Sequence, residues 1–531
     1  MSRTDRNPSP KSMQRPSPTP SLWPFQLRFL PGFLLAFLLA VVALLLLKAP
    51  TLRDPHYWDA LGCYVFQGRF MAAHGLDLAA YKTLPFVRPL LFTGLIGLCI
   101  RFLGDSPLIL HVLTVAVVAL LLPTTFLIAR RLGATALQGV WAAVILALSP
   151  MFMAQAGQVQ TDLPMAVLLT LAWAMLLLGK TGWFVLWACL AVAVKESAYV
   201  ICVPAALLLY ARALAPGSRS WLNVSALRAA LPAALPGLTL VFWLVLHGRL
   251  TGALVHSDHV AAVNPRHLSV ALLHNFVLSG RLFVALCAAL SVRRLLPSAQ
   301  TALQSPTRVH SSPQTPQAAQ LELLASLTLV VSWPFLFPAT LPRYMLPTLP
   351  LFCALAGVGI GQLPQTWRRW VMLVVPALLV LGWHGLYVPH DVAHLEAHLG
   401  YRQLLFEQEA AARALAGAYP KGVLSDFPMV TVLKSPPEDG LLAAPVPAHI
   451  VTADEPLAFL CAQDFLVVSH SDTAYLAQQR LQRLGALQLW QQFGPTPSEQ
   501  PRYDKEHDFG VRLYRIRCPQ PLPSSEPPAP R

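Results

Sequence analysis

The chain has 531 residues, 55% of them hydrophobic and only 12% charged, with a formal net charge of +14. A soluble protein of this length needs far more polar surface, so the composition excludes an ordinary soluble enzyme. Apolar runs near bilayer-spanning length recur along the chain. They predict an α-helical polytopic membrane protein, and the basic excess then reads as cytoplasmic-loop Lys and Arg, not as a nucleic-acid surface.

Residues 1–28 open with "MSRTDRNPSPKSMQRPSPTPS", which is basic and rich in Ser and Pro, and predict a disordered cytoplasmic tail. The first apolar run, 29–47, has no clear small-residue cleavage site before Lys48, so it reads as an uncleaved span. Eleven further runs follow, at 89–103, 107–129, 136–152, 162–179, 183–195, 197–211, 229–247, 274–291, 321–341, 344–362 and 370–388. If all twelve cross, Arg130, Arg131, Lys180, Arg293, Arg294, Arg368 and Arg369 fall outside, against the positive-inside rule. Taking 89–103 out of the count puts them inside. That run is short, starts at a Pro and contains Arg101, so it reads as a juxtamembrane or re-entrant helix on the outer face. About eleven transmembrane helices remain, with the C-terminus extracytoplasmic.

The extracytoplasmic pieces are then 48–106, 153–161, the Lys195–Glu196 junction, 248–273, the turn at Pro342–Tyr344, and everything after 388. Residues 29–292 form an N-terminal transmembrane module. A polar Pro/Ser/Gln-rich cytoplasmic linker, 293–320, separates it from the C-terminal transmembrane helices in 321–388. Residues 389–517 are richer in charge and predict a small extracytoplasmic α/β domain. Helical pattern ends near Pro420, strand pattern lies in "GVLSDF", "DFLVVSH" and "FGVRLYRIR", and a helix "TAYLAQQRLQRLG" falls between the last two. The tail 518–531 reads as disordered. Of the eight cysteines, none at metal-type spacing, Cys461 and Cys518 lie in this outer region and are able to form a disulfide there.

Chemistry-bearing residues fall on that one predicted side. "HYWDALGCYVFQGRFMAAHGLDL" places Asp59 beside an aromatic just after the first span. With it come "FVRPLL" with Arg88, "GQVQTDLPMAV" with Asp162, "AVAVKESAYV" with Lys195 and Glu196, and "LPRYMLP" with Arg343 and Tyr344. Plain structural readings stand beside each. Asp59 is a solvated loop acid, Asp162 caps a helix that begins "DLP", and Lys195 pairs locally with Glu196 or snorkels.

In this order the five stretches, over about residues 30–390, resemble the GT-C glycosyltransferases, especially the family 39 and aminoarabinose-transferase-like branch, which includes protein mannosyltransferase-like proteins. Asp59, Tyr64, Met71 and Gly75 match the first-loop motif in order, while Ala60 stands where that group usually has Glu. Asp54, in "RDPHYW", is the competing placement for the catalytic acid. The resemblance implies transfer of a hexosyl or pentosyl unit from a polyprenyl-phosphate sugar to a lipid, glycan or protein acceptor, at the outer face of a bacterial inner (plasma) membrane. Asp59 then serves as the base, and Asp162 orients the acceptor or shares a divalent cation (Mg, Mn or Zn) with it. Arg88, Lys195, Arg343 and Tyr344 bind the donor phosphate. The runners-up are a multi-span transporter or lipid flippase, and a glycan polymerase or ligase. The loop "LVHSDHVAAVNPRH", with His256, Asp258, His259 and His267, either holds a metal, closes over the acceptor or is solvated, and His384, His390, His394 and His398 offer a weaker metal reading.

Overall fold

The computed structural model describes residues 23–57, 59–84, 87–214, 223–252, 254, 265–295, 316–336, 341–384, 399–426, 429–437, 441–452, 454–469, 472–494 and 510–519. The architecture is that of an integral membrane helical bundle carrying a small sheet domain. Six helical stretches are long and apolar enough to cross a membrane: Pro31–Thr51, Pro107–Arg131, Glu196–Ala213, Val224–Thr251, Gln317–Leu336 and Pro342–Ile360. A seventh is the pair Leu268–Phe276 and Arg281–Arg294, bent by 78° where Ser279 and Gly280 take positive φ.

Besides the helix Gln365–Leu381, whose Met372 carbonyl accepts from Trp141, the bundle holds four shorter apolar helices. They are Leu90–Leu103, Ala136–Leu148, Asp162–Leu177 and Thr181–Val194. The 13 residues of Ala136–Leu148 rise only about 20 Å, short of a hydrocarbon core, and Ser149–Pro150 breaks the run expected over 136–152. The break expected between 195 and 197 is present, with Lys195 extended between two helices. Two boundaries move outward. Helix Trp23–Lys48 begins inside the segment read as tail, and helix Pro316–Leu336 begins inside the segment read as linker. Pro at or near the first turn, followed by good helix formers, explains both starts.

The two ends of the bundle differ in chemistry. Asp162–Leu177 and Pro342–Ile360 are buried on nearly every side, as expected of helices apolar all round. At the Leu177 end, Glu322 accepts from Arg131 at 2.8 Å and from Arg212 at 2.6 Å, and those two arginines also donate to the carbonyls of Leu177 and Leu176 at 2.9 and 2.7 Å. This tie closes four helices on the end rich in cations. The Glu322 side chain is 2% exposed, so Glu322→Ala leaves two guanidinium groups in a poorly solvated site. We expect a loss of about 3 kcal/mol, read from denaturant unfolding in mild detergent. An unchanged midpoint would show that the tie adds nothing to stability.

At the opposite end the helix Phe66–His74 lies against Leu90–Leu103. A Cβ on Gly97 would stand 2.9 Å from the Gly68 carbonyl oxygen and 2.9 Å from Met71 Cβ, so the two backbones approach as closely as they do only because both positions are glycine. This pair forms the floor under the first loop.

The C-terminal domain has a helix Tyr401–Ala418 over a five-stranded sheet of order β2-β1-β3-β5-β4. The strands are β1 Val423–Ser425, β2 Ala448–Ile450, β3 Phe465–Val468, β4 Leu487–Phe493 and β5 Val511–Ile516. β1 runs parallel to β2 and β3, and β5 antiparallel to β3 and β4. Strand periodicity splits the core into two layers. Val423, Phe465, Val467, Val511 and Leu513 face Ala411, Ala412 and Leu415 of the helix, while Leu424, Leu466, Val468 and Tyr514 face Ala474, Ala477 and Leu481 of helix Asp472–Arg483. The three expected strands and the helix between the last two are present. β2 and β4 were not expected. β4, "LQLWQQF", is a Gln-rich edge strand without a clear apolar alternation. Cys461 and Cys518 form a disulfide, with Cα atoms 5.7 Å apart, so the ordered chain continues past the expected end at 517.

Candidate active site

Asp59 stands at the start of a π-helical turn, Ala60–Val65, that runs into Phe66–His74. Single π turns are frequent where a side chain must be re-aimed. Its carboxylate pairs with the Arg343 guanidinium, which comes from the 3-10 turn Pro342–Thr348. Arg343 is 2% exposed, and its Nε lies 3.5 Å from Oδ2 of Asp162. Asp162 opens helix Asp162–Leu177, and its Oδ1 accepts from Lys195 Nζ at 2.5 Å. Lys195 Nζ sits 4.2 Å from the Tyr344 ring centre, and the Arg343 guanidinium 5.3 Å from the same ring.

Four segments far apart in sequence thus meet at one end of the bundle. The structure brings together Asp59, Asp162, Lys195, Arg343 and Tyr344. Arg88 belongs to the same field, acting electrostatically on Tyr64, Cys63, Glu196 and Asp59. Its backbone is clamped by Gln67, whose amide donates to the Arg88 carbonyl at 3.0 Å and accepts from the Arg88 N–H at 2.8 Å. Gln67 was missed in sequence, although a Gln inside the run "YVFQGRF" is the kind of buried polar group that has to find partners.

Local partners decide between the alternative readings. The Asp162 carboxylate makes no helix cap and turns to Lys195 and Arg343. Lys195 pairs with Asp162, while Glu196 accepts from Trp243 Nε1 at 3.0 Å. Thr161 donates to the Tyr64 hydroxyl at 3.0 Å. Burial, reinforced by the Asp59 and Asp162 charges, pushes the Tyr64 hydroxyl well above its ordinary range, so Tyr64 stays neutral. Burial and then Asp59 push the Cys63 thiol up to about 11, which makes it inert as a nucleophile.

Asp54 lies outside the cluster. Its carboxylate takes a two-pronged bond from Arg402 of the sheet domain, at 2.6 and 3.0 Å. Among the described residues no three His, Cys, Asp or Glu side chains gather as a metal site. His256, Asp258, His259, His390, His394 and His398 lie outside the described residues, as do the side chains of His267 and His384. Between Asp59 and Asp162 stands the Arg343 guanidinium, and Lys195 takes a third carboxylate oxygen of the pair.

An almost wholly apolar cleft of about 610 Å³ runs between the helices. Leu90, Leu98, Leu171 and Trp187 line it, and Pro164 and Val194 bring its wall to within two residues of Asp162 and within one of Lys195.

No protein-family model matches the chain, and no curated protein matches it. Two solved structures are similar to it along nearly their whole length. ArnT from Cupriavidus metallidurans bound to undecaprenyl phosphate is 16% identical with a TM-score of 0.51, covering 90% of this chain and 97% of that one. The apo state of the same enzyme is 15% identical with a TM-score of 0.50, covering 92% and 98%. Identity at this level speaks to fold alone. This chain shares the fold of these two ArnT structures.

Proposed function

We propose that this protein is a membrane glycosyltransferase that moves a sugar from a polyprenyl-phosphate donor to a hydroxyl acceptor at the outer membrane–water interface. One observation carries the reading. A carboxylate pair is held by Lys195 and Arg343, and the neighbouring residues Pro164 and Val194 line an apolar cleft, so that a base, fixed cations and a lipid track lie within two residues of one another along the chain. The outer-face assignment is supported by the cation-rich opposite end, which the positive-inside rule directs to the cytoplasm, and by the Cys461–Cys518 disulfide, a bond of oxidising compartments.

In the proposed reaction the acceptor oxygen attacks the anomeric carbon while Asp59 takes its proton. The bond from the anomeric carbon to the phosphate oxygen breaks with inversion, and the electron pair leaves on the polyprenyl phosphate. Arg88, Lys195 and Arg343 meet that charge. The Arg343–Asp59 pair gives an order to the steps. While Arg343 holds Asp59, the guanidinium occupies the carboxylate that has to reach the acceptor hydroxyl. A donor phosphate that draws Arg343 toward itself releases Asp59, so the base is freed when a donor is bound. The cations supply the charge stabilisation that a divalent metal would otherwise give. The rival transporter reading is disfavoured because the ionisable groups of this site gather at one end of the bundle, whereas transporter sites lie near mid-membrane.

The test is transfer of radiolabelled sugar by the purified protein in proteoliposomes, across a panel of polyprenyl-phosphate sugars, with and without EDTA. Transfer from at least one donor, unchanged by EDTA, is expected. Transfer abolished by EDTA and restored by Mg²⁺, Mn²⁺ or Zn²⁺ would overturn the metal-free mechanism. Absence of transfer from every donor would overturn the enzyme reading.

A further inference from the structure

The first loop is held from outside the membrane bundle. Asp59 lies between three contacts with the C-terminal domain. Five residues before it, Asp54 is locked to Arg402, whose Nη2 also donates to the Pro50 carbonyl at 2.9 Å. Two residues before it, Tyr57 is 2% exposed and packs on the Tyr401 ring at 5.2 Å, among Ala154, Leu404 and Leu405. Two residues after it, Leu61 is 5% exposed and belongs to the sheet domain's own apolar core, with Ala411, Leu415, Val423 and Met429. A residue of the catalytic turn thus completes the core of another domain.

We propose that the sheet domain is the platform that fixes Asp59, with Arg402 and Leu61 as positioning residues acting through helix Tyr401–Ala418. The proposal rests on Asp59 being the base. The chemistry requires such a platform. Asp59 is 22% exposed, and the only ion pair it makes among the described residues is the one to Arg343, which the donor phosphate would take. Once Arg343 turns to the phosphate, Asp59 has to keep its place by backbone alone. Contacts at 54, 57 and 61 supply that restraint from outside the membrane bundle. An ångström of drift in a reacting group costs about 10²-fold in rate.

The experiment uses the full chain in detergent or proteoliposomes. Arg402→Ala and Leu61→Ala are expected to lower kcat about 10- to 100-fold while KM for the donor stays within about twofold. The swapped pair Asp54→Arg/Arg402→Asp should regain part of the loss. Hydrogen–deuterium exchange, which needs no substrate, should rise in both single variants over residues 57–66 and stay unchanged in helix Leu349–Ile360. Leu61→Ala guards against a folding artefact of Arg402, since it leaves the ion pair intact. Unchanged exchange at 57–66 in both variants would overturn the proposal. So would raised exchange with kcat intact, or a rise confined to donor KM. If the wild type transfers no sugar, the proposed function has failed, and the exchange data still decide whether the domain fixes the loop.

Discussion

Asp59→Asn is expected to lower kcat about 10³-fold, the size of effect that loss of a positioned general base brings. The substitution keeps the shape and removes the charge. It also frees Arg343 from one of its two carboxylates, leaving Asp162 at 3.5 Å as its partner. Donor affinity should therefore hold or improve. Polyprenyl phosphate alone, with no sugar, should raise the thermal midpoint of the variant at least as much as that of the wild type. Asp54→Asn is the matched control. Its carboxylate serves Arg402, so its loss should cost about tenfold, through loosening of the loop. The reverse ranking, with Asp54→Asn the deeper loss, would move the catalytic acid five residues upstream and sink the assignment of Asp59. Equal robust transfer by both variants would remove the carboxylate-base mechanism altogether.

Sequence alone carried the bundle, the small sheet domain and most of the residues that the structure brings together at one end, because hydropathy and charge asymmetry are written locally. Asp162, Lys195 and Arg343 stand out since a charge bordering a long apolar helix needs a reason to be there. The spacing to Met71 and Gly75 favours Asp59 over Asp54, but the partners of the two acids were not legible. Both follow the first span and both lie near aromatics, and what separates them is a partner 284 residues away for one and 348 residues away for the other. No local pattern encodes such pairings. The role of Leu61 was hidden for the same reason, since an apolar residue in an apolar stretch gives no sign that it packs into a different domain. The helix starts at Trp23 and Pro316 were obscured by Pro-rich flanks that read as tail and linker. β4 was obscured by glutamines that an edge strand tolerates.

Lys195→Met is expected to cost about 10²- to 10³-fold in kcat, the range found when one fixed donor to a developing negative charge is removed. The difficulty is that Lys195 also neutralises Asp162, a carboxylate only 2% exposed. A lost ion pair in that setting destabilises the fold on its own account. A loss of activity in Lys195→Met therefore fits two causes, a missing cation for the leaving phosphate or an uncompensated buried acid. Lys195→Met combined with Asp162→Asn separates them. The double variant removes both charges and leaves Arg343 its pair with Asp59. If Lys195 serves only to neutralise Asp162, the double variant recovers both thermal stability and transfer. If Lys195 meets the departing phosphate, stability returns and kcat does not. We expect the second result, because Lys195 Nζ lies against the Tyr344 ring with its side chain 15% exposed, so it remains open to an incoming phosphate. Arg343→Lys extends the argument. A point charge replaces a fork that reaches both Asp59 and Asp162, so the lysine variant should keep the charge and lose the bridging geometry, with kcat falling even where donor binding survives.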